Sequence, residues 1–225
     1  NLEHLITCID SAYMAGLAKK NKIAKPCLSD SDWETILKQS SRHKLSAVLY
    51  NCYQDHKDHL CLPDFVIGTL RESYLSNVAA NMRIYNQLKL ILRAFETAGI
   101  PVIALKGAHL ARVVYGNIGL RKMNDLDLLI PAEHAKKAVR EMKALGYNSC
   151  RPFAVDVESA VCQHLPEFIK KDSAPVEIHL HIKVPTSSLR IEQEGLWERA
   201  WTESFSGIGM KVLCPEDSIL HLSLH

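Results

Sequence analysis

Three acids sit in runs where a carboxylate is expensive to bury. The segment Asn124-Asp125-Leu126-Asp127-Leu128-Leu129-Ile130 interleaves two aspartates with apolar residues. Successive strand side chains point to opposite faces, so Asp125 and Asp127 share one face while Leu126, Leu128 and Ile130 enter a core. Val176-Glu177-Ile178-His179-Leu180-His181-Ile182 repeats the pattern, with Glu177, His179 and His181 on one side. Clustered carboxylates at the mouth of a buried strand repel one another, and a cation between them relieves the cost. If the two strands are neighbours, Asp125, Asp127 and Glu177 form an all-oxygen ligand set. That set suits Mg2+, with Mn2+ as a substitute, better than zinc. Two such ions would support phosphoryl or nucleotidyl transfer.

A phosphate site is expected just upstream. Pro101 to Leu105 reads as a short strand that runs into Lys106-Gly107 and then a helix over 107–116. Backbone N–H groups at a helix start attract anions, and glycine lets phosphate approach closely. Lys106 would add a point charge. Arg121, four positions before Asp125, could reach a triphosphate or form a salt bridge with the acids. His179 could contact substrate or shuttle a proton. His164 reads as a surface or hydrogen-bonded residue.

These residues resemble the DNA polymerase β-like nucleotidyltransferase superfamily, which carries a glycine turn at a helix start, D-x-D on one strand and a third acid on a neighbour. The nearest likeness is to a group of uncharacterised nucleotidyltransferases with a K-G turn, R-x-x-x-D-x-D and E-x-H. Here those are Lys106-Gly107, Arg121 to Asp127, and Glu177-Ile178-His179. The resemblance spans roughly residues 100–225. It implies an α+β fold with a mixed sheet flanked by helices. It also implies transfer of a nucleoside monophosphate from an NTP to an acceptor. Asp125, Asp127 and Glu177 would be the catalytic metal ligands, and Lys106, Gly107 and Arg121 would hold the nucleotide. Ala108 follows Gly107 where the wider superfamily usually has Ser or a second Gly. That departure supports a second reading, a nucleotide-binding or partner-binding module without turnover. A metal-dependent hydrolase using the same acids is a third.

The elements that must position these groups divide into a helical region, 1–99, and a mixed core, 100–225. Leu2, Leu5, Ile6, Ile9, Tyr13 and Leu17 fit one helical stripe. Ser31 with Glu34 makes a capping box for a helix carrying Ile36 and Leu37. Pro63 opens a long helix with a stripe through Val66, Leu70, Leu75, Val78, Met82, Tyr85, Leu88, Leu92 and Phe95, stopped by Gly99. In the core, Gly116 and Gly119 end the helix after Lys106, and Pro131 to Gly146 bounds another. Glu167 to Ile182 forms a hairpin around Asp172-Ser173. Trp197 and Trp201 share one helix face, chiefly for packing. A short strand near Lys211 precedes a helix from Pro215, and the chain reads as truncated at its C-terminus.

Composition narrows the function. With 47% hydrophobic and 23% charged residues, the chain is an ordinary globular protein. A net charge of +2 without basic runs argues against gripping long duplex nucleic acid, leaving an NTP and a small-molecule, protein or RNA-end acceptor. Seven scattered cysteines without a C-x-x-C pair suggest reduced thiols and a cytoplasmic protein. No apolar run is long enough to span a bilayer.

Overall fold

The computed structural model describes residues 28–57, 60–156, 162–185, 187 and 191–224. The N-terminal stripe from Leu2 to Leu17 lies outside these residues. The chain divides into two compact units, one of residues 1–81 with 115–122, the other of 82–114 with 123–225.

The first unit is helical. Helix α1, Asp30–Arg42, starts two residues earlier than the Ser31–Glu34 pairing predicts. Ser29 is the N-cap, its hydroxyl accepting from the Asp32 backbone N–H while the Asp32 carboxylate accepts from the Ser29 backbone N–H, a reciprocal box two residues upstream. Helix α2 spans Ser46–His56, and helix α3 spans Asp64–Thr97. The loop 115–122 is tied to the first part of α3. Asn77 donates to the Gly119 carbonyl, and Asn81 donates to the carbonyls of Ile118 and Arg121. Asparagine can do this from a helix face because its amide carries two donors. The predicted stripe on α3 needs correction at two places. Leu75 and Met82 are about half exposed, and Asn77 and Asn81 are buried in their stead. Hydrophobicity alone ranks Leu and Met above Asn, but the loop carbonyls must be paired once buried.

The second unit contains the sheet. Its strands are β1 (Ile103–Ala104), β2 (Leu126–Leu129), β3 (Asn148–Ser149), β4 (Phe168–Ile169), β5 (Val176–His179), β6 (Trp201–Phe205) and β7 (Ile208–Val212). They lie in the order β3-β4-β5-β2-β1-β7-β6. The sheet is mixed: β2 runs antiparallel to β1 but parallel to β5, and β1 runs parallel to β7. Both faces of β2 are covered, since Leu126, Leu128 and Leu129 are wholly buried. Ile103, Leu105 and Leu129 pack with Ile182, Leu196 and Leu213 in one apolar cluster.

Helix α4, Lys106–Val113, follows β1 and is shorter than the predicted 107–116. Helix α5, Ala135–Ala144, buries Ala135, Ala138, Val139 and Met142, and Gly146 ends the segment with a left-handed φ of 85°. Helix α6 is Gln193–Arg199, and α7 is Pro215–Ser223, opened by its proline. Trp197 packs against the apolar cluster, as expected, but Trp201 does not share its helix. It begins β6 and is half exposed. The β6–β7 hairpin turns through Ser206 and Gly207, both at positive φ, the geometry of a tight type I′ connection.

Candidate active site

The register of β2 against β5 builds the site. Asp127 is paired with Glu177, and Leu129 with His179. Parallel neighbours at one level project to the same face, so residues fifty positions apart become adjacent carboxylates. Asp125 lies in the bend just before β2 and is exposed, while Asp127 is 2% exposed.

Two cationic side chains converge on Asp127. Lys106 Nζ donates to Asp127 Oδ1 at 2.8 Å, and His179 Nε2 meets the same oxygen at 3.0 Å. The imidazole nitrogen also lies 3.3 Å from Glu177 Oε2. Lys106 reaches across because β1 hands directly to α4, with its own φ at 41°. That left-handed backbone is unfavourable for a residue with a Cβ, and such strain gathers at sites where the surroundings enforce it.

The electrostatics follow from this geometry. Burial opposes the charge on Asp127, but the hydrogen bonds from His179 and Lys106 outweigh it and hold the carboxyl below its usual range. Burial likewise opposes a charged His179, yet its bonds to Asp127 and Glu177 raise it above an ordinary histidine. Glu177 is held low mainly by His179, against burial. Asp125 is pushed up, first by burial and then by repulsion from Asp127 and Glu177, with Lys106 offsetting part of this. The expected mutual repulsion of the acids therefore survives at Asp125, while at Asp127 it is overcome by internal cations.

The ligand atoms of Asp127, Glu177 and His179 all lie within 4.8 Å of one another, close enough for one metal ion. Both cationic contacts of Asp127 fall on Oδ1, so Oδ2 is the oxygen that a metal would take. Asp125 stands at the edge of this group rather than within it. The carboxylate pair fits a hard divalent cation, and the imidazole in the set admits a softer one once it is deprotonated.

The remaining predicted residues are placed differently from one another. Gly107 lies in the first turn of α4, whose N-cap, Leu105, offers no side-chain bond to the helix start. A Cβ on Gly107 would come 3.1 Å from Met123 Cγ, so the Met123 side chain would have to give by a few tenths of an ångström to admit one. Arg121 belongs to the first unit, where its carbonyl accepts from Asn81. His164 bridges β5 at His179, and the two rings lie 5.5 Å apart. His181 bonds Gln193. Sequence reasoning missed His221, which is buried with its ring 6.4 Å from that of His179, and His109, on the same face of α4 as Lys106. The i, i+3 spacing of Lys106 and His109 was the available signal.

A mixed sheet with acids on adjacent parallel strands, beside a helix carrying Gly107 in its first turn, is the arrangement that the resemblance to nucleotidyltransferases leads one to expect. The chain belongs to the uncharacterised nucleotidyltransferase family, whose model matches residues 29–225. Among solved structures it is similar to the lincosamide antibiotic adenylyltransferase LnuA bound to lincomycin, at 16% identity and a TM-score of 0.46 over 60% of this chain and 83% of that one. It is also similar to the antibiotic-resistance factor ANT(2'')-Ia, at 13% identity and a TM-score of 0.42 over 60% and 67%. No curated protein matches it in sequence.

Proposed function

We propose that the protein transfers a nucleoside monophosphate from an NTP to an acceptor hydroxyl. The observation that carries this reading is the pairing of Asp127 with Glu177 on parallel strands, with Asp125 electrostatically coupled to both. In the reaction, the acceptor oxygen bonds to the α-phosphorus and the bond to the bridging oxygen breaks. Pyrophosphate leaves with that electron pair, and the acceptor proton passes to solvent. Asp127 and Glu177, with Asp125 at their edge, would hold Mg2+, which supplies positive charge to the phosphate oxygens. Glu177 is a weak base because His179 lowers its carboxyl, which favours ligation over proton abstraction. The first-turn N–H groups of α4 and Gly107 would face the phosphates. Lys106 is engaged with Asp127, so its part is to orient that carboxylate as much as to meet phosphate. A cytoplasmic setting is supported by the free thiols of Cys52, Cys61, Cys150 and Cys214. No helix among the described residues is long and apolar enough to cross a membrane.

A second reading, a binding module without turnover, draws on the same salt bridges. Lys106 and His179 already neutralise Asp127, so the cluster is tolerable without metal. Incubation with each labelled NTP, Mg2+ and a panel of small hydroxyl compounds as acceptors, followed by pyrophosphate release, separates the two. The enzyme reading expects release, and a fall of at least about a hundredfold in Asp127→Asn. NTP binding by calorimetry with no pyrophosphate from any nucleotide would establish the module instead.

A further inference from the structure

The two protein cations on Asp127 Oδ1 differ in their freedom to leave it. His179 is fully buried, and its Nε2 is held between Asp127 Oδ1 at 3.0 Å and Glu177 Oε2 at 3.3 Å. Moving that ring would disturb β5 itself. Lys106 Nζ donates to the same Asp127 oxygen at 2.8 Å, but its side chain is 20% exposed. Its Cα stands in the first turn of α4, at the helix end whose N–H groups point away from the helix body. A lysine head is a compact charge with three donors on a flexible stem, so it can exchange partners with the backbone at rest.

Lys106 and a divalent cation are drawn to the same carboxylate. Cations on its two oxygens repel each other, and at a few ångströms a divalent ion loses at least about tenfold in affinity even at the dielectric of water. We propose that Lys106 is a displaceable internal counter-ion, which competes with the divalent cation for Asp127 and yields that carboxylate when a triphosphate gives its ammonium another partner. The cation alone is then held weakly, and cation and nucleotide bind in concert, each raising the affinity for the other by the same factor. This rests on the nucleotidyl-transfer reading, which supplies the triphosphate; the competition for Asp127 is measurable without it.

Mn2+ is the probe, titrated into the whole protein while the electron paramagnetic resonance signal of the free ion is followed. Lys106→Met removes the charge and keeps a Cβ, so the backbone cost at a φ of 41° is unchanged. It is expected to bind Mn2+ at least about tenfold more tightly than wild type, while Lys106→Arg binds as weakly as wild type. Lys106→Gln takes the place of Lys106→Met if the latter does not fold. Adding Asp127→Asn should abolish the gain. Equal or weaker Mn2+ binding by the uncharged variant, a gain that survives Asp127→Asn, or no Mn2+ binding by any of these proteins overturns the proposal. Wild type labelled with 13C-lysine gives the second measurement. The Lys106 Cε signal should stay in place with Mg2+ alone and move when an α,β-methylene NTP is added. If that analogue binds and the signal stays, the release of Lys106 is overturned while the nucleotidyl-transfer reading stands. If no NTP analogue binds, that reading falls, and the Mn2+ comparison alone decides whether Lys106 competes for Asp127.

Discussion

Asp127 is the residue on which the site balances. It is buried, and it accepts from both Lys106 and His179 through one oxygen. A simple count of acids suggests that deleting one should relieve repulsion and leave the metal-free protein as stable or more so. The structure argues the reverse, because the deletion takes from the fully buried His179 the nearer of its two carboxylate partners, leaving Glu177 at 3.3 Å. Removing one partner of a buried ion pair costs several kcal/mol, and the part-exposed Lys106 softens this to about 2–3 kcal/mol for Asp127→Asn. Chemical denaturation of the metal-free variant measures it, and an unchanged midpoint would show that the pair contributes nothing. A paired His179→Leu, Asp127→Leu variant should recover part of the loss, since both polar groups then go together.

At the scale of elements, two turns show what side-chain volume and backbone sign demand. Gly119 lies in the loop held by Asn77 and Asn81, and a Cβ there would sit 2.4 Å from a Tyr74 ring carbon and 2.7 Å from Val78 Cγ2. Neither wall can withdraw easily from a helix, so Gly119→Ala should lower stability by about 1–3 kcal/mol through overpacking. Thermal melts of this variant beside Gly116→Ala, where a Cβ meets open space but a φ of 63°, separate volume from backbone strain. The β6–β7 hairpin offers the opposite opportunity. Ser206 adopts a φ of 52° that serine dislikes and asparagine tolerates. Ser206→Asn creates Asn-Gly, the favoured pair for this turn, and should raise stability by roughly 0.5 kcal/mol. A lower melting temperature would mean that the turn is not held as described.

For the molecule as a whole, response to acid is set by carboxylates that folding holds ionised. Asp217 accepts two bonds from Arg199, at 2.9 and 3.0 Å, and one from the Cys214 thiol at 3.1 Å. The Arg199 bonds carry its carboxyl below the ordinary value, against burial. A carboxylate depressed in the folded state adds stability that is present above the unfolded value, roughly pH 4, and is lost as pH falls through the lower folded value. Asp217→Asn should therefore melt below the wild type near neutrality, with the gap narrowing as pH drops below about 4. Parallel curves down to strongly acid conditions would count against the linkage. Ligand linkage acts in the other direction: NTP with Mg2+ should raise the melting temperature more than either alone.

What could be read from residue order was local. Acid–leucine alternation around Asp127 and Glu177 assigns each side chain to a face, because the strand period is two whatever the strand pairs with. Gly99, Gly146 and Pro215 end or open their helices where their backbone preferences say they must. The alternation of helical and strand periods gives the α+β character, while the mixed sheet is what the resemblance implies and the structure shows. Where local signals competed, they failed: the capping box slid from Ser31 to Ser29, and Trp201 left its helix for β6. Register is a different matter. Asp127 faces Glu177, rather than a residue one step away, because burial of Leu126 and Leu128 against Val176 and Ile178 selects one alignment of strands far apart in the chain. That alignment brings His179 to the acids, and the antiparallel pairing of β1 with β2 brings Lys106 to Asp127, so protein cations and not only a metal neutralise the cluster.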